Sequence, residues 1–335
     1  KVGGTNLSDV TVSKHSADES VNRAERHGDY WIFGGIFRPV YLEAKPRSHI
    51  SRTSVDARAD GQIEADVYVE NMDREGELVL QAYTLDGHQT GSPLRTKVGK
   101  DSTIVRLSGK MAGIRPWNPE DPNLYRLVFE LVSAGEVLHE TAVRTGFRTV
   151  EKRDRDGLYV NGVKVRFKGV NRHTFRPETG RASCRAFSME DVRLMKEMNM
   201  NAVRMSHYPP DSHFLDVCDS LGLFVINELA GWHNSYDTET GSLLVREMLL
   251  RDVNHPSVVI WSNGNEGGHN VDLDPLFAEF DIQKRPVIHP WQNFNGITTE
   301  HYINYDYGMS TYWHGHDIVL PDRKSTRLNS SHVSQ

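Results

Sequence analysis

The sequence predicts a multidomain protein: a partial β jelly-roll remnant, then an immunoglobulin-like β-sandwich, then an incomplete (β/α)8 TIM barrel. Three observations predict it. Short alternating runs separated by turn signals fill roughly the first 150 positions. After Gly157 the rhythm changes to strands alternating with amphipathic helices. The strands of that second part end in polar residues, as "FKGVNRH", "VRMSHYP", "VINE", "SNGNEGG" and "IHPW". Ligand groups offered from the C-terminal ends of successive strands favour a barrel over an open sheet.

Residues 1–46 carry one strong strand signal, "GGIFRPVYLEA" (34–44), whose alternation and Pro39 suit an edge strand. So short a stretch hardly makes a core and reads as the end of a larger β domain. Residues 47–149 read as β throughout, with candidate strands "IEADVYVEN", "GELVLQAYTLDG", "DSTIVRLSG" and "YRLVFELVSAGEVLHETAVRTGF" and turns at Asp86-Gly87 and Ala134-Gly135. That spacing over about 100 residues fits an immunoglobulin-like sandwich, and the proline-rich "RPWNPEDPNLY" is a rigid connection within it. Residues 150–321 are assigned to the barrel, whose first strand is "VRFKGVN". Helix "SMEDVRLMKEM" is opened by Ser188, with Asp191 three residues on in a near capping box. Strand "NAVRMSH", helix "DSHFLDVCDSLG" between N-cap Asp211 and stop Gly222, strand "LFVINE", helix "GSLLVREMLLRDV" and strand "SVVIWSNGNE" follow. "LDPLFAEFD" and "RPVIHPW" add one more unit, and residues 322–335, "DRKSTRLNSSHVSQ", form a polar tail unlike what precedes them.

At 335 residues the chain suits two or three domains, and 38% hydrophobic with 25% charged residues is ordinary for a globular protein. A net charge of −6 argues against a nucleic-acid surface. No apolar run approaches the roughly 18 residues of a membrane span, so neither nucleic acid nor membrane is expected as a partner. Cys184 and Cys218 make no disulfide framework and no C-x-x-C metal pair. The chain opens without Met, and its compartment is not legible. Glu266 stands at the exit of a buried run, between Asn265 and Gly267-Gly268. From that place alone, a solvated loop carboxylate capping the next helix and a catalytic acid are equally open.

Two long segments, "NAVRMSHYPPDSHFLDVCDSLGLFVI" (201–226) and "RDVNHPSVVIWSNGNE" (251–266), resemble the signature segments of glycoside hydrolase family 2, which holds β-galactosidases, β-glucuronidases and β-mannosidases. "FKGVNRHTFRPETGR" and "PWNPEDPNLY" extend the resemblance over nearly everything from Gly28 to Pro321, in the family's order of sugar-binding β domain, sandwich and barrel. The resemblance implies a retaining exo-glycosidase of β-galactosidase type, acting on terminal β-D-galactosides or a related glycan. It makes Glu266 the general acid/base, directly after Asn265, which donates to the sugar 2-hydroxyl. Such an acid needs a dry wall or a second carboxylate to keep its proton; Trp261 is a candidate wall, and Gly264, Gly267 and Gly268 would admit the sugar close to the backbone.

His173 and His207 match histidines that hold sugar hydroxyls in the β-galactosidase branch; the alternative for each is a core histidine bonded to a neighbouring carbonyl. Arg172 and Arg204 are expected to hold barrel carboxylates. Tyr302 matches a family tyrosine near the nucleophile, with Tyr305 and Tyr307 as competitors, and Trp291 either stacks on a sugar face or packs the rim. The best-known β-galactosidases hold Mg²⁺ with Glu-x-His after the third strand; "NELAGWHN" leaves Glu228 and His233 five residues apart, so neither a dedicated magnesium site nor another cofactor is expected. The nucleophile Glu should follow the seventh strand, "HDIVLP" (316–321), where the polar tail begins instead; Asp322 is a residue too early and a methylene too short. The expectation is a chain truncated at both ends, lacking its nucleophile and inactive as it stands. The rivals are a β-glucuronidase or β-mannosidase of the same family, and a non-catalytic carbohydrate-binding remnant. A homo-oligomer is left open for the full-length parent.

Overall fold

The computed structural model describes residues 7–28, 30–301 and 318–320; Tyr302, Tyr305, Tyr307, Asp322 and the tail lie outside them. The chain first forms helix α1 (Glu19–Arg26), capped by the Asp18 side chain on Ser20 N at 2.8 Å. The strand expected at 34–44 is not formed, since no residue from 30 to 48 joins a ladder. Val40, Tyr41 and Leu42 are exposed there, so the alternation meets neither a partner strand nor a second layer, and an unpaired strand has no stability of its own.

Strands β1 (His49–Ala57), β2 (Gln62–Glu70), β3 (Gly76–Thr84), β4 (Gln89–Val98), β5 (Ile104–Lys110), β6 (Tyr125–Ser133) and β7 (Glu136–Thr145) form two antiparallel sheets, β1-β2-β5 and β4-β3-β6-β7. β2 turns Ile63, Ala65, Val67 and Val69 inward, where they share one core with Leu78 and Leu80 of β3 and Leu127, Phe129 and Leu131 of β6. β6 and β7 are joined by Ala134 and Gly135 at φ 51° and 81°, the left-handed pair that a two-residue hairpin turn needs.

A small meander of β8 (Val150–Arg153), β9 (Gly157–Val160) and β10 (Val163–Lys164) leads into the α/β part. There β11 (Gly169–Arg172), α2 (Arg185–Glu197), β12 (Ala202–Met205), α3 (Ser212–Leu221), β13 (Phe224–Trp232), α4 (Thr238–Asp252), β14 (Val258–Asn265), α5 (Asp274–Phe280) and β15 (Val287–Ile288) alternate. The five strands pair in parallel and in chain order, the winding of a barrel wall. β13 and β14 are buried along their whole length, as parallel strands covered on both faces are. Beyond them lie β16 (Asn293–Phe294), β17 (Ile297–Thr298) and β18 (Ile318–Val319), the last two again parallel. Helix α2 starts three residues ahead of its expected opening. Ser188 is interior, bonded to His213, and Asp191 is taken by Arg172 and Arg176, so there is no capping box. Among the described residues no helix is long and apolar enough to cross a membrane.

Sandwich and barrel meet through buried polar side chains. Arg148, 2% exposed, donates to Pro256 O (2.7 Å), Val258 O (2.9 Å) and Gln283 Oε1 (2.7 Å). Asn254 bonds both Val55 N (2.9 Å) and Thr53 O (2.8 Å) of β1, and Trp117 donates to Asp219 O (2.8 Å). Asp216, Asp219 and His255 are spaced closely enough to hold a cation, yet the Arg144 guanidinium already sits 2.8 Å from Asp216. Arg148→Met keeps the length of the side chain but strands two carbonyls in a dry joint. It should lower the unfolding free energy by about 3 kcal/mol, seen as an earlier urea midpoint at unchanged m-value. A midpoint equal to that of the parent would show that the joint does not rest on Arg148.

Candidate active site

Parallel strands present their C-terminal ends on one edge, and the predicted residues meet there. His173 follows β11, Arg204 lies in β12 with His207 just beyond the strand, and Glu228 and Trp232 lie in β13. Asn265 closes β14 and Glu266 follows it, with Trp291 after β15. Trp232 pairs in register with Asn265 across β13 and β14.

Glu228, fully buried, is the hub. Arg204 reaches its Oε2 through Nε at 2.7 Å and Nη2 at 2.5 Å, Ser262 Oγ donates to the same oxygen at 3.0 Å, and His207 Nδ1 bonds Oε1 at 2.8 Å. Burial opposes the Glu228 charge, but the Arg204 guanidinium and the His207 imidazole outweigh it and hold the carboxyl below the usual range. Arg204 Nη2 also donates to Asn265 Oδ1 at 2.8 Å, which orients that amide. Asn265 is 1% exposed, and its Nδ2 has no hydrogen-bond partner among the described residues. His207 thus bonds a carboxylate, not a backbone carbonyl. His173 lies beside it, ring centres 5.4 Å apart, near the Tyr208 hydroxyl.

Glu266 sits at φ 45°, a left-handed backbone uncommon outside glycine. His301 Nδ1 lies 3.1 Å from its Oε1 and His233 Nε2 lies 3.3 Å from its Oε2. Trp291, half exposed, stands near both imidazoles, at 6.0 Å from His301 with nearly parallel rings and at 6.3 Å from His233. The expected wall, Trp261, faces the other way: it packs among α4 and α5, donating to Asp281 and lying under Arg285. Side chains alternate across a strand, and Trp261 falls on the helix side. Two of the glycines differ from expectation as well. A Cβ on Gly264 would lie 2.3 Å from Gly268 O, and one on Gly268 would lie 2.5 Å from Gly231 C. Their bareness lets the ends of β13 and β14 pack backbone to backbone.

Four neighbours of the site were not singled out from sequence as site residues: Tyr30, Trp232, His233 and His301. Tyr30 comes from the segment after α1 and lies 5.2 Å from His173, 6.1 Å from His207 and 5.7 Å from Trp232. Burial, then Glu25, pushes its hydroxyl pKa up, so it stays neutral. Helix α1 carries it there, tied to the barrel by Ser20 on Asp237 and Tyr236 on Glu25. "EHY" signalled its tyrosine, while His301 beside it was one of 16 histidines. Glu228 is engaged by Arg204, His207 and Ser262, and His233 faces Glu266.

The C-terminal strand ends of a parallel barrel wall thus gather a carboxylate, an amide, histidines and tryptophans on one edge. The sequence model described as the TIM barrel domain of glycosyl hydrolases family 2 matches residues 150–311, and a second family 2 model matches 48–148. The chain belongs to glycosyl hydrolases family 2. It is 35% identical over 313 residues to a β-galactosidase of Priestia megaterium, covering 83% of this chain and 29% of that protein. It is 32% identical over 246 residues to a putative β-glucuronidase of Formosa agariphila, covering 71% of this chain and 30% of the other. A solved β-glycosidase from Bacteroides vulgatus superposes with a TM-score of 0.70 at 26% identity, over 80% of this chain and 37% of that one. The chain therefore spans about three tenths of the length of these curated relatives.

Because the folded pKa of Glu228 is depressed, its stabilisation is present above the unfolded value and is lost as pH falls through the folded one. Glu228→Gln should cost about 3–5 kcal/mol at neutral pH and flatten the loss of stability on acidification. Melting temperatures of both proteins across the acid range test this, and parallel curves would refute it.

Proposed function

We propose that this chain carries the acid/base and glycone-binding part of a retaining, exo-acting glycosidase of β-galactosidase type. The observation that supports it best is Asn265. Its Oδ1 is fixed by Arg204 while its buried Nδ2 is unmet among the described residues. An unmet buried donor costs about 1–3 kcal/mol, and a sugar hydroxyl brought beside Glu266 would satisfy it. On this reading Glu266 protonates the departing glycosidic oxygen, then takes a proton from the water that releases the sugar. His173 and His207 border the glycone, Trp291 offers a face beyond the scissile bond, and Tyr302 serves near the nucleophile.

The 35% identity to a β-galactosidase and the two histidines favour a galactoside over a glucuronide or mannoside. No Mg²⁺ takes part.

The test has two arms. The 335-residue chain alone should release no nitrophenol from a nitrophenyl β-galactoside above a heat-killed control, because no glycosyl-enzyme forms without a nucleophile. A full-length protein containing it should prefer β-galactosides to β-glucuronides and β-mannosides. In it, Glu266→Gln should lower kcat/KM on poor leaving groups by about 10²–10⁴-fold, and on activated ones far less. Saturable turnover by the chain alone that is lost on Asp322→Ala, or a preference for glucuronides, would overturn the reading.

A further inference from the structure

The segment after α1 forms no strand, yet it is pinned across the exits of the first two barrel strands. Trp31 and Phe33 set their rings 4.9 Å and 6.1 Å from that of Phe175, which follows β11. Arg38 donates to Pro209 O at 2.7 Å and to Pro210 O at 3.3 Å, and its Nε lies 3.4 Å from Asp211 Oδ1, all beyond β12. Arg181 lies over the rings of both Phe37 and Tyr208, at 4.5 Å and 3.6 Å, and so ties the segment to a neighbour of His173. Residues 30–38 thereby form a strap over this side of the mouth, and Tyr30 is the end of it that enters the site.

The ring of Tyr30 meets His173 at 5.2 Å, His207 at 6.1 Å and Trp232 at 5.7 Å, groups from the exits of β11, β12 and β13. Asn265 and Glu266 stand at the exit of β14. A Cβ at Gly28 would collide with Cε1 of Tyr30, so the chain keeps that space bare for the ring. The side chain is half-buried, burial is the first cause of the upward shift of its pKa, and its hydroxyl makes no hydrogen bond among the described residues. Packing alone asks only for a ring, and phenylalanine would fill the same space without a polar atom to withdraw from water. A neutral phenol both donates and accepts, as a sugar hydroxyl does.

We propose that Tyr30 is a glycone-binding residue whose hydroxyl meets the 3-, 4- or 6-hydroxyl of the sugar, on the side of the ring away from the scissile bond. The inference rests on the glycosidase reading, in which Asn265 takes the 2-hydroxyl beside Glu266. The exits of β11, β12 and β13 lie along the wall away from Glu266, so a group held among them faces the opposite side of the pyranose. Galactosides and glucuronides differ at carbons 4 and 6, and a hydroxyl reading that side takes part in the choice between them. The strap ahead of the sandwich is then part of the specificity of the barrel.

The 335-residue chain is titrated with the methyl 1-thio-β-glycosides of galactose, glucuronic acid and mannose, which bind without turnover, so the test stands apart from the assay of the proposed reaction. Tyr30→Phe, which keeps the ring, should weaken the thiogalactoside about three- to tenfold at an unchanged melting temperature. Of the monodeoxy thiogalactosides, one lacking the 3-, 4- or 6-hydroxyl should show the same loss on the parent chain and bind both proteins alike. The 2-deoxy compound should still distinguish the two proteins by the full factor, because its missing hydroxyl belongs to Asn265. Equal affinity of parent and variant for the thiogalactoside, or a factor that is the same for every deoxy compound, would overturn the proposal. Without any substitution, the Cζ signal of Tyr30 in ¹³C-tyrosine-labelled chain should move when the thiogalactoside is added, and a signal that stays in place would overturn it as well. A preference for the thioglucuronide or thiomannoside would remove the galactosidase reading alone, and the same comparison on that glycone then decides the role of Tyr30. A parent chain that binds none of these glycosides would overturn both.

Discussion

The buried pair of Arg204 and Glu228 is the constraint on which the mouth of the barrel depends. Their side chains are 3% and 0% exposed, and taking two such charges out of water costs several kcal/mol per ion. That cost is offset only if the remaining lone pairs are met, and both Glu228 oxygens are, by Arg204, Ser262 and His207. The donors come from β12, from β14 and from the link after β12, so three parts of the wall are keyed to one carboxylate of β13. The adjacent Asn227 points to the opposite face, where it bonds Asp252 of α4 at 2.7 Å. A slip of one residue would exchange the two faces and leave a carboxylate among the helices and a guanidinium without a counter-charge.

The same pair decides which polar atoms are left for a ligand. Arg204 uses the acceptor of Asn265 and leaves its donor, and Glu228 uses one nitrogen of His207. In this way a network that never reaches solvent sets the hydrogen-bonding character of the surface that does. Tyr30 and Trp232 both stand beside His207, with ring centres 6.1 Å and 4.8 Å from that of the imidazole.

The sequence made the barrel winding legible because each α/β unit is local: Gly222, at φ 75°, ends α3 where the pattern stops, and the polar strand ends mark the functional edge. The place of Asn265 and Glu266 at a strand exit was legible for the same reason. What escaped depends on contacts distant in sequence. Tyr30 reaches the site only because α1 docks on β13 and α4, and His301 gains meaning only beside Glu266. Strand β4, which contains Gly91 and Pro93, is absent from the candidate strands, and it persists because β3 supplies its ladder. Trp261 failed as a wall because apolar character fixes burial but not which face of a strand is buried.

The backbone at Glu266 gives the last link between fold and chemistry. Gly231, Gly264 and Gly268 bring the ends of β13 and β14 into contact so close that any Cβ there would meet backbone atoms. With those ends locked, the chain reverses at Glu266 in a left-handed turn, closed by Gly268 N on Asn265 O at 2.8 Å and by His233 on the Glu266 carbonyl. A non-glycine residue in that region costs about 1–2 kcal/mol, and glycine or asparagine would occupy it at less cost. A glutamate there runs against the local preference.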